Sequence, residues 1–140
     1  MIGITAYSVY IPRFRLDRGL IARAWGTKQP AGEMAVANYD EDALTMASEA
    51  TLACFSDAQA AHIDGLYFAS TSAPYLEKQV ASMVATACDL PRRMQTADFG
   101  GSVRAGLSAV LAGVNAVRAG ALSDVLIAAA DSRVAAPESR

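Results

Sequence analysis

Short apolar runs alternate with longer stretches of helical spacing along this chain. Four runs, rich in apolar residues with many β-branched or aromatic side chains, predict strands at residues 2–11, 63–70, 94–99 and 124–130. Four stretches with apolar residues three or four positions apart predict helices at residues 18–25, 40–55, 77–88 and 102–119. The alternation predicts an α/β fold with a mixed, mostly parallel sheet that helices cover on both faces.

Capping and turn residues predict where several of these elements end. Asp17 is a candidate N-cap for the first helix, which Gly26 closes, and residues 27–38 are predicted to form a loop. Asp40 is the candidate N-cap of the second helix. The pair Gly100-Gly101 predicts a sharp turn between a strand and the last helix.

The composition excludes several classes of protein. Hydrophobic residues make up 53% of the 140 residues and charged residues 19%, which excludes intrinsic disorder and fits one domain or part of one. A net charge of −2 provides no electrostatic surface for nucleic acid or an anionic membrane. Cys54 and Cys88 lie in no disulfide or metal motif, so we expect two reduced, packed thiols in a cytoplasmic protein.

Apolar character here comes mostly from small side chains. The chain contains 30 alanines, so its helices are expected to pack closely against a sheet and to bury further surface against a partner or a second half. The charge-free run at residues 105–117 is shorter than the roughly 20 residues that a bilayer requires. The N-terminus also lacks a signal-peptide pattern.

The segment TADFGGSVRAGL, residues 96–107, is the first candidate for chemistry. It predicts a strand, a double-glycine turn and a helix, which places unpaired N–H groups and the positive end of a helix dipole at the carboxyl end of a strand. Such a corner suits a nucleophile or a bound anion. The alternative is structural: the glycines make a tight turn and Ser102 is the N-cap.

A second candidate is STSAPY, residues 70–75, which follows another predicted strand. Loops at the carboxyl ends of strands line the ligand crevice of open α/β sheets, so Thr71 and Ser72 are candidate hydrogen-bonding residues. A polar turn satisfied by its own backbone is the alternative. No Cys/His cluster has metal-ligand spacing, so no metal is expected.

Five segments, taken in order, resemble the thiolase superfamily of condensing enzymes. They are AYSVYIPRFRL (6–16), DEDALTMASEA (40–50), LYFASTSAPYLEK (66–78), TADFGGSVRAGLSAV (96–110) and VLIAAADSR (125–133). The chain is most similar to the bacterial and archaeal hydroxymethylglutaryl-CoA synthase branch, including relatives that act with a zinc-ribbon/OB-fold protein. That family folds as two similar α/β halves in a five-layer, usually dimeric molecule. The resemblance implies that residues 1–140 are one thiolase-like N-terminal domain, with the C-terminal half of the fold absent.

Carried over residue by residue, the resemblance gives two unexpected side chains. The family's nucleophilic cysteine precedes Lys/Arg-Ala-Gly, and Val103 occupies that position before Arg104. The family's acid/base glutamate corresponds to Thr71. Valine cannot form a thioester, and Ser102 lies one residue away, about 100° around a helix. Covalent catalysis by this chain alone is therefore not expected.

The resemblance thus implies an acyl-CoA context rather than a complete reaction, and whether the chain is an enzyme is left open. It is expected to be the N-terminal half of an acyltransferase-type enzyme that makes or cleaves a C–C bond next to a CoA thioester. The alternatives are a non-catalytic scaffold or CoA-binding subunit, and an unrelated α/β binding module. Ser102, Arg104 and Ser72 are the expected substrate-binding residues, and coenzyme A enters as part of the substrate. Expected partners are a second copy or a complementary C-terminal half, and a zinc-ribbon/OB-fold protein.

Overall fold

Three parallel strands form the sheet that organises the chain. In the computed structural model, which describes residues 2–28 and 31–134, β3 (Gly65–Ala69) lies between β4 (Gln95–Phe99) and β5 (Val125–Ala129). Parallel neighbours need crossover connections. Helix α4 (Val80–Ala87) connects β3 to β4, and α5 (Ala105–Arg118) connects β4 to β5. The predicted α/β class is confirmed.

Helices cover both faces of this sheet, as the alternation predicts. Successive side chains of a strand point to opposite faces. Leu66 and Phe68 pack in one core with α2 (Ala43–Leu52) and α4, whereas Tyr67 and Ala69 pack in a second core with α5. All five residues of β3 are buried, so the central strand has no solvent-exposed face.

Small residues on α5 bring this helix close to the sheet. Ala105, Ala109 and Gly113 are its buried positions. A Cβ atom added to Gly113 would lie 3.1 Å from Ile127 Cδ1 and 3.3 Å from Val125 Cγ1. The close approach predicted from the many alanines is confirmed for this helix.

The first third of the chain departs from the predicted pattern. Residues 2–11 form no strand, and an antiparallel pair, β1 (Phe14–Asp17) and β2 (Glu33–Val36), replaces the predicted strand and part of the predicted loop at 27–38. An apolar run forms a strand only where a neighbouring strand can pair with its backbone N–H and C=O groups. Here Ser8 Oγ donates to the Ala50 carbonyl at 2.6 Å, so the segment lies against α2 instead.

Helix α1 (Arg18–Trp25) between these strands has its predicted ends. The Asp17 carboxylate accepts a hydrogen bond from Gly19 N at 2.7 Å, and Gly26 closes the helix with φ 62°. Both signals are local, which explains why the sequence located them. The sequence predicts a connector or short turn at residues 57–61, and the structure forms the short helix α3 (Asp57–Ala60) there.

Three other helix starts were predicted too early. The N-cap of α2 is Asp42, not Asp40, because Asp42 and Thr45 form a reciprocal capping box with two 2.8 Å bonds. Helix α4 begins at Val80 rather than 77. The distant Asp98 carboxylate accepts from the Val80 and Ala81 N–H groups at 2.6 and 2.7 Å. Helix α5 begins at Ala105 rather than 102.

Asp64 fixes the amino end of the sheet. Its carboxylate accepts hydrogen bonds from Ser123 N at 2.8 Å and Asp124 N at 3.0 Å, which anchors the start of β5 beside β3. Within residues 2–28 and 31–134, no helix is both long and apolar enough to cross a bilayer. The sequence also predicts a loop at 131–140 after the last strand, and the described residues include this segment only up to Val134.

Two glycines of α5 provide a test of this packing. Alanine is favoured over glycine in a helix by about 0.5–1 kcal/mol. A Cβ at Gly106 meets nothing within 4 Å, so Gly106→Ala should gain that stability. Gly113→Ala should lose the gain, because Ile127 and Val125 must shift and overpacking costs about 1–3 kcal/mol. Urea unfolding of both variants measures the difference, and a Gly113→Ala as stable as Gly106→Ala contradicts the close packing of α5.

A hydrogen bond between Tyr10 and Glu41 provides a second test. The Tyr10 hydroxyl donates to the Glu41 carboxylate, and this bond, helped by Asn38 N–H, lowers the pKa of Glu41 below 4.5. A lowered folded pKa gives stability that is present above about pH 4.5 and lost as the pH falls through the folded value. Tyr10→Phe should therefore flatten the loss of stability between about pH 6 and pH 3 in urea titrations. Tyr39→Phe, at a 96% exposed position, is the matched control and should follow the unmodified chain.

Candidate functional site

A cavity of about 230 Å³ lies where the carboxyl ends of β3 and β5 meet the start of α5. In open α/β sheets, ligands bind in the crevice outside the carboxyl ends of the strands. Small or apolar side chains make most of the wall, and a few polar groups converge on it. The lining residues are Ala69, Ser70, Thr71, Ser102, Val103, Ala105, Gly106, Ala129, Ala130 and Asp131.

The turn from β4 into α5 forms one wall of the cavity. Gly101 has φ 73°, a left-handed conformation that glycine adopts without steric cost. The Ser102 hydroxyl accepts from Arg104 N at 3.2 Å, and its carbonyl accepts from Ala105 N at 2.9 Å. The predicted strand–turn–helix geometry is confirmed. The predicted N-cap is wrong, because α5 takes Arg104 as its N-cap residue.

Val103 is the side chain that this turn presents to the cavity. It is 82% exposed and lies two residues before the first residue of α5. Neither cysteine lines the cavity. Cys88 is buried after α4, and its thiol donates to the Ser48 carbonyl at 3.6 Å, while burial raises the pKa of the thiol. Cys54 is half-buried beyond the end of α2. The side chain at the position that the resemblance assigns to the family nucleophile is thus a hydrocarbon that lines the cavity.

Asp131 organises the opposite wall. Its Oδ1 accepts hydrogen bonds from the hydroxyls of Ser70, Thr71 and Ser72 at 3.1, 3.0 and 3.0 Å. The same oxygen accepts from Thr71 N at 2.6 Å and Ser72 N at 3.1 Å. Burial acts to raise the pKa of Asp131, but these bonds outweigh it and hold the pKa below its usual value. The carboxylate thus joins the loop after β3 to the loop after β5.

Sequence reasoning missed Asp131. It follows the strand at 124–130, so the rule that selected Thr71 and Ser72 applied to it equally. Asp131 lies only one residue beyond that predicted strand, in a segment predicted simply as a loop. The two loops meet because β5 pairs with β3, and this pairing is visible only in the tertiary structure.

The predicted site residues separate into two groups. Ser102, Val103 and Thr71 line the cavity, whereas Arg104 and Ser72 are not among its lining residues. The Ser72 hydroxyl donates to Asp131 and accepts from Ser132 N at 2.8 Å, so its hydrogen-bonding capacity is largely used within the loops. Their roles in binding substrate stay predictions.

A larger cavity of about 530 Å³ lies elsewhere, between the N-terminal segment and the start of α2. Its lining residues with ionisable side chains are Tyr10, Arg13, Asp40, Glu41 and Glu49. It lies away from the carboxyl ends of the parallel strands and from the N-terminus of α5. We therefore take the smaller cavity as the candidate site, because the start of α5 and the hydrogen-bonded Asp131 carboxylate meet there. The described residues contain no group of three or more His, Cys, Asp or Glu suited to a metal ion.

Comparison with known proteins agrees with this geometry, although no protein-family model matches the chain. The hydroxymethylglutaryl-CoA synthase of Methanocella arvoryzae is 36% identical over 117 residues, 78% of this chain and 34% of the relative. MvaS, solved in complex with 3-hydroxy-3-methylglutaryl coenzyme A, superposes with a TM-score of 0.75 at 27% identity, over 91% of this chain and 34% of that one. The fold is thiolase-like, and the sequence is similar to hydroxymethylglutaryl-CoA synthases. β-Ketoacyl-[acyl carrier protein] synthase III of Thermus thermophilus has the same fold, with a TM-score of 0.80 at 19% identity over 89% of this chain and 41% of that one.

The thiolase-like chain spans about a third of the length of the curated relatives it matches, 34% and 32% for the first two. Within that matched stretch, the sequence and fold similarities confirm the resemblance to the thiolase superfamily. The cavity lies at the start of α5, next to Val103, the position that the resemblance assigns to the family nucleophile.

The start of α5 should activate a thiol placed at position 103. The dipole of this 14-residue helix favours the thiolate, so Val103→Cys should titrate below the ordinary thiol pKa of about 8.5. The rate of alkylation by iodoacetamide against pH measures this, in a Cys54→Ser background. Cys88 is the internal control, because its burial should keep it unreactive. A titration at or above the ordinary value contradicts an activating turn.

Proposed function

We propose that this thiolase-like chain contributes the acyl-binding wall of a condensing-type enzyme that acts on CoA thioesters. The observation that carries the proposal is the cavity at the start of α5, in a chain similar to hydroxymethylglutaryl-CoA synthases. A volume of about 230 Å³ suits a short acyl group rather than a whole coenzyme. Coenzyme A enters as part of the substrate, and no other cofactor is required.

Val103 restricts the chemistry that the chain performs. With no thiol at the start of α5, the acyl group stays on coenzyme A instead of passing to the protein. The first-turn N–H groups of α5, which include that of the cavity-lining Gly106, are the groups that would stabilise an oxyanion on the thioester carbonyl. The reaction is then acyl-CoA chemistry without an acyl-enzyme, an aldol or retro-aldol step next to the thioester, with proton transfer by groups outside this chain.

An exposed apolar face supports association with a further part of the enzyme. Leu107, Val110 and Leu111 on α5 are 53%, 42% and 53% exposed. Contiguous apolar surface of this kind marks an interaction site. The partner is a complementary C-terminal half or a second copy of the chain, in a cytoplasmic assembly that a zinc-ribbon/OB-fold protein joins.

Calorimetry and mass spectrometry with acetyl-CoA and acetoacetyl-CoA test the proposal. The unmodified chain should bind both thioesters and show no covalent adduct, because Val103 offers no nucleophile. Val103→Cys together with Thr71→Glu should acquire an acetyl adduct, and Val103→Ser with the same Thr71→Glu is the matched control without a thiol. Absence of binding to either thioester, or an adduct on the unmodified chain, contradicts the proposal.

A non-catalytic, CoA-binding scaffold is the second candidate. The double replacement at Val103 and Thr71 favours it, since both side chains line the cavity without a nucleophile or carboxylate of their own. A scaffold binds thioesters but gains no adduct in the doubly substituted variant. The same mass-spectrometric measurement therefore separates the two candidates.

A further inference from the structure

We propose that Asp131 Oδ2 is the acceptor that selects among acyl groups, favouring a 3-hydroxyacyl thioester over the 3-oxoacyl thioester of the same skeleton. The proposal rests on the proposed function, because it requires a thioester in the cavity at the start of α5. It assigns a specificity-determining role to a residue to which the resemblance assigns none.

The two oxygens of this carboxylate have different surroundings. Oδ1 accepts all five of the hydrogen bonds that Ser70, Thr71 and Ser72 donate to Asp131. Oδ2 makes no hydrogen bond with any residue in the described part of the chain, although Asp131 lines the cavity. The contacts on Oδ1 therefore hold the carboxylate in place, and Oδ2 is the oxygen that we assign to a ligand.

An oxygen of this kind distinguishes a hydroxyl from a ketone. The bonds from the loop keep Asp131 ionised near neutral pH by lowering its pKa, and an ionised carboxylate only accepts hydrogen bonds. A 3-hydroxyl donates to Oδ2, whereas a 3-oxo group brings a second acceptor against a negative oxygen. The hydroxyls of Ser70 and Thr71 lie within hydrogen-bond distance of Oδ1, at 3.1 and 3.0 Å, so donating to a ketone would cost each of them its bond to Asp131.

Asp131 differs from the other lining residues in its charge. Among the described residues that line the cavity, it is the one with an ionisable side chain, so a donor on the acyl group has Oδ2 as its charged partner. A charge-assisted hydrogen bond is stronger than a neutral one. The preference for the hydroxyl should therefore be measurable as an affinity ratio.

Calorimetry with 3-hydroxybutyryl-CoA, butyryl-CoA and acetoacetyl-CoA tests the proposal on the unmodified chain. Their affinities should decrease in that order, with about tenfold or more between the first and the last. Any other order overturns the proposal, and this measurement needs no variant to fold.

Asp131→Asn sharpens the test. Asparagine keeps a carbonyl acceptor for the loop but replaces Oδ2 with an NH₂ donor, so the preference should vanish or reverse toward acetoacetyl-CoA. Asp64→Asn is the matched control: Asp64 likewise accepts from backbone N–H groups, but at the amino end of the sheet, and its loss should leave the ratio unchanged. A ratio that Asp131→Asn leaves intact, or that Asp64→Asn changes equally, overturns the role of Asp131 alone. Failure of all three thioesters to bind overturns the proposed function as well.

Discussion

The parallel pairing of β3 with both β4 and β5 is the constraint on which the rest of the structure depends. It buries β3 on both faces, which requires helices on each side, and it places three carboxyl ends at one edge of the sheet. Aspartates secure this arrangement through backbone N–H groups. Asp64 anchors the amino end of β5, Asp98 fixes the start of α4, and Asp131 joins the loops at the carboxyl ends.

The candidate site combines a strand–turn–helix corner with a cavity wall that carries a fixed carboxylate. The turn at Gly101 delivers the residue at position 103 to the start of a 14-residue helix, where a thiol would be activated, yet the residue there is valine. Across the cavity, Thr71 offers a hydroxyl already committed to Asp131. The side chain on one wall is therefore a hydrocarbon, and the charged group of the site lies on the other wall.

Local signals explain which parts of the fold were predictable. Helix α1 has its predicted ends because Asp17 and Gly26 act on neighbouring backbone. Strands β3, β4 and β5 appear within two residues of their predicted bounds, and for β3 and β5 the reason is a continuous run of apolar residues. The start of α4 was missed because its capping carboxylate, Asp98, lies 18 residues away. The apolar run at 2–11 was overpredicted because a strand also needs an available edge.

The sequence by itself determined the α/β class, the thiolase-like resemblance, the turn before α5 and the hydrocarbon at position 103. Those features reside in hydrophobic periodicity, in glycine conformation and in side-chain identity, all of which are local. Only the tertiary structure decided that Asp131 contacts Ser70, Thr71 and Ser72, about 60 residues earlier in the chain. That contact arises because β5 pairs with β3, and the choice of neighbouring strands depends on long-range packing that no local pattern encodes.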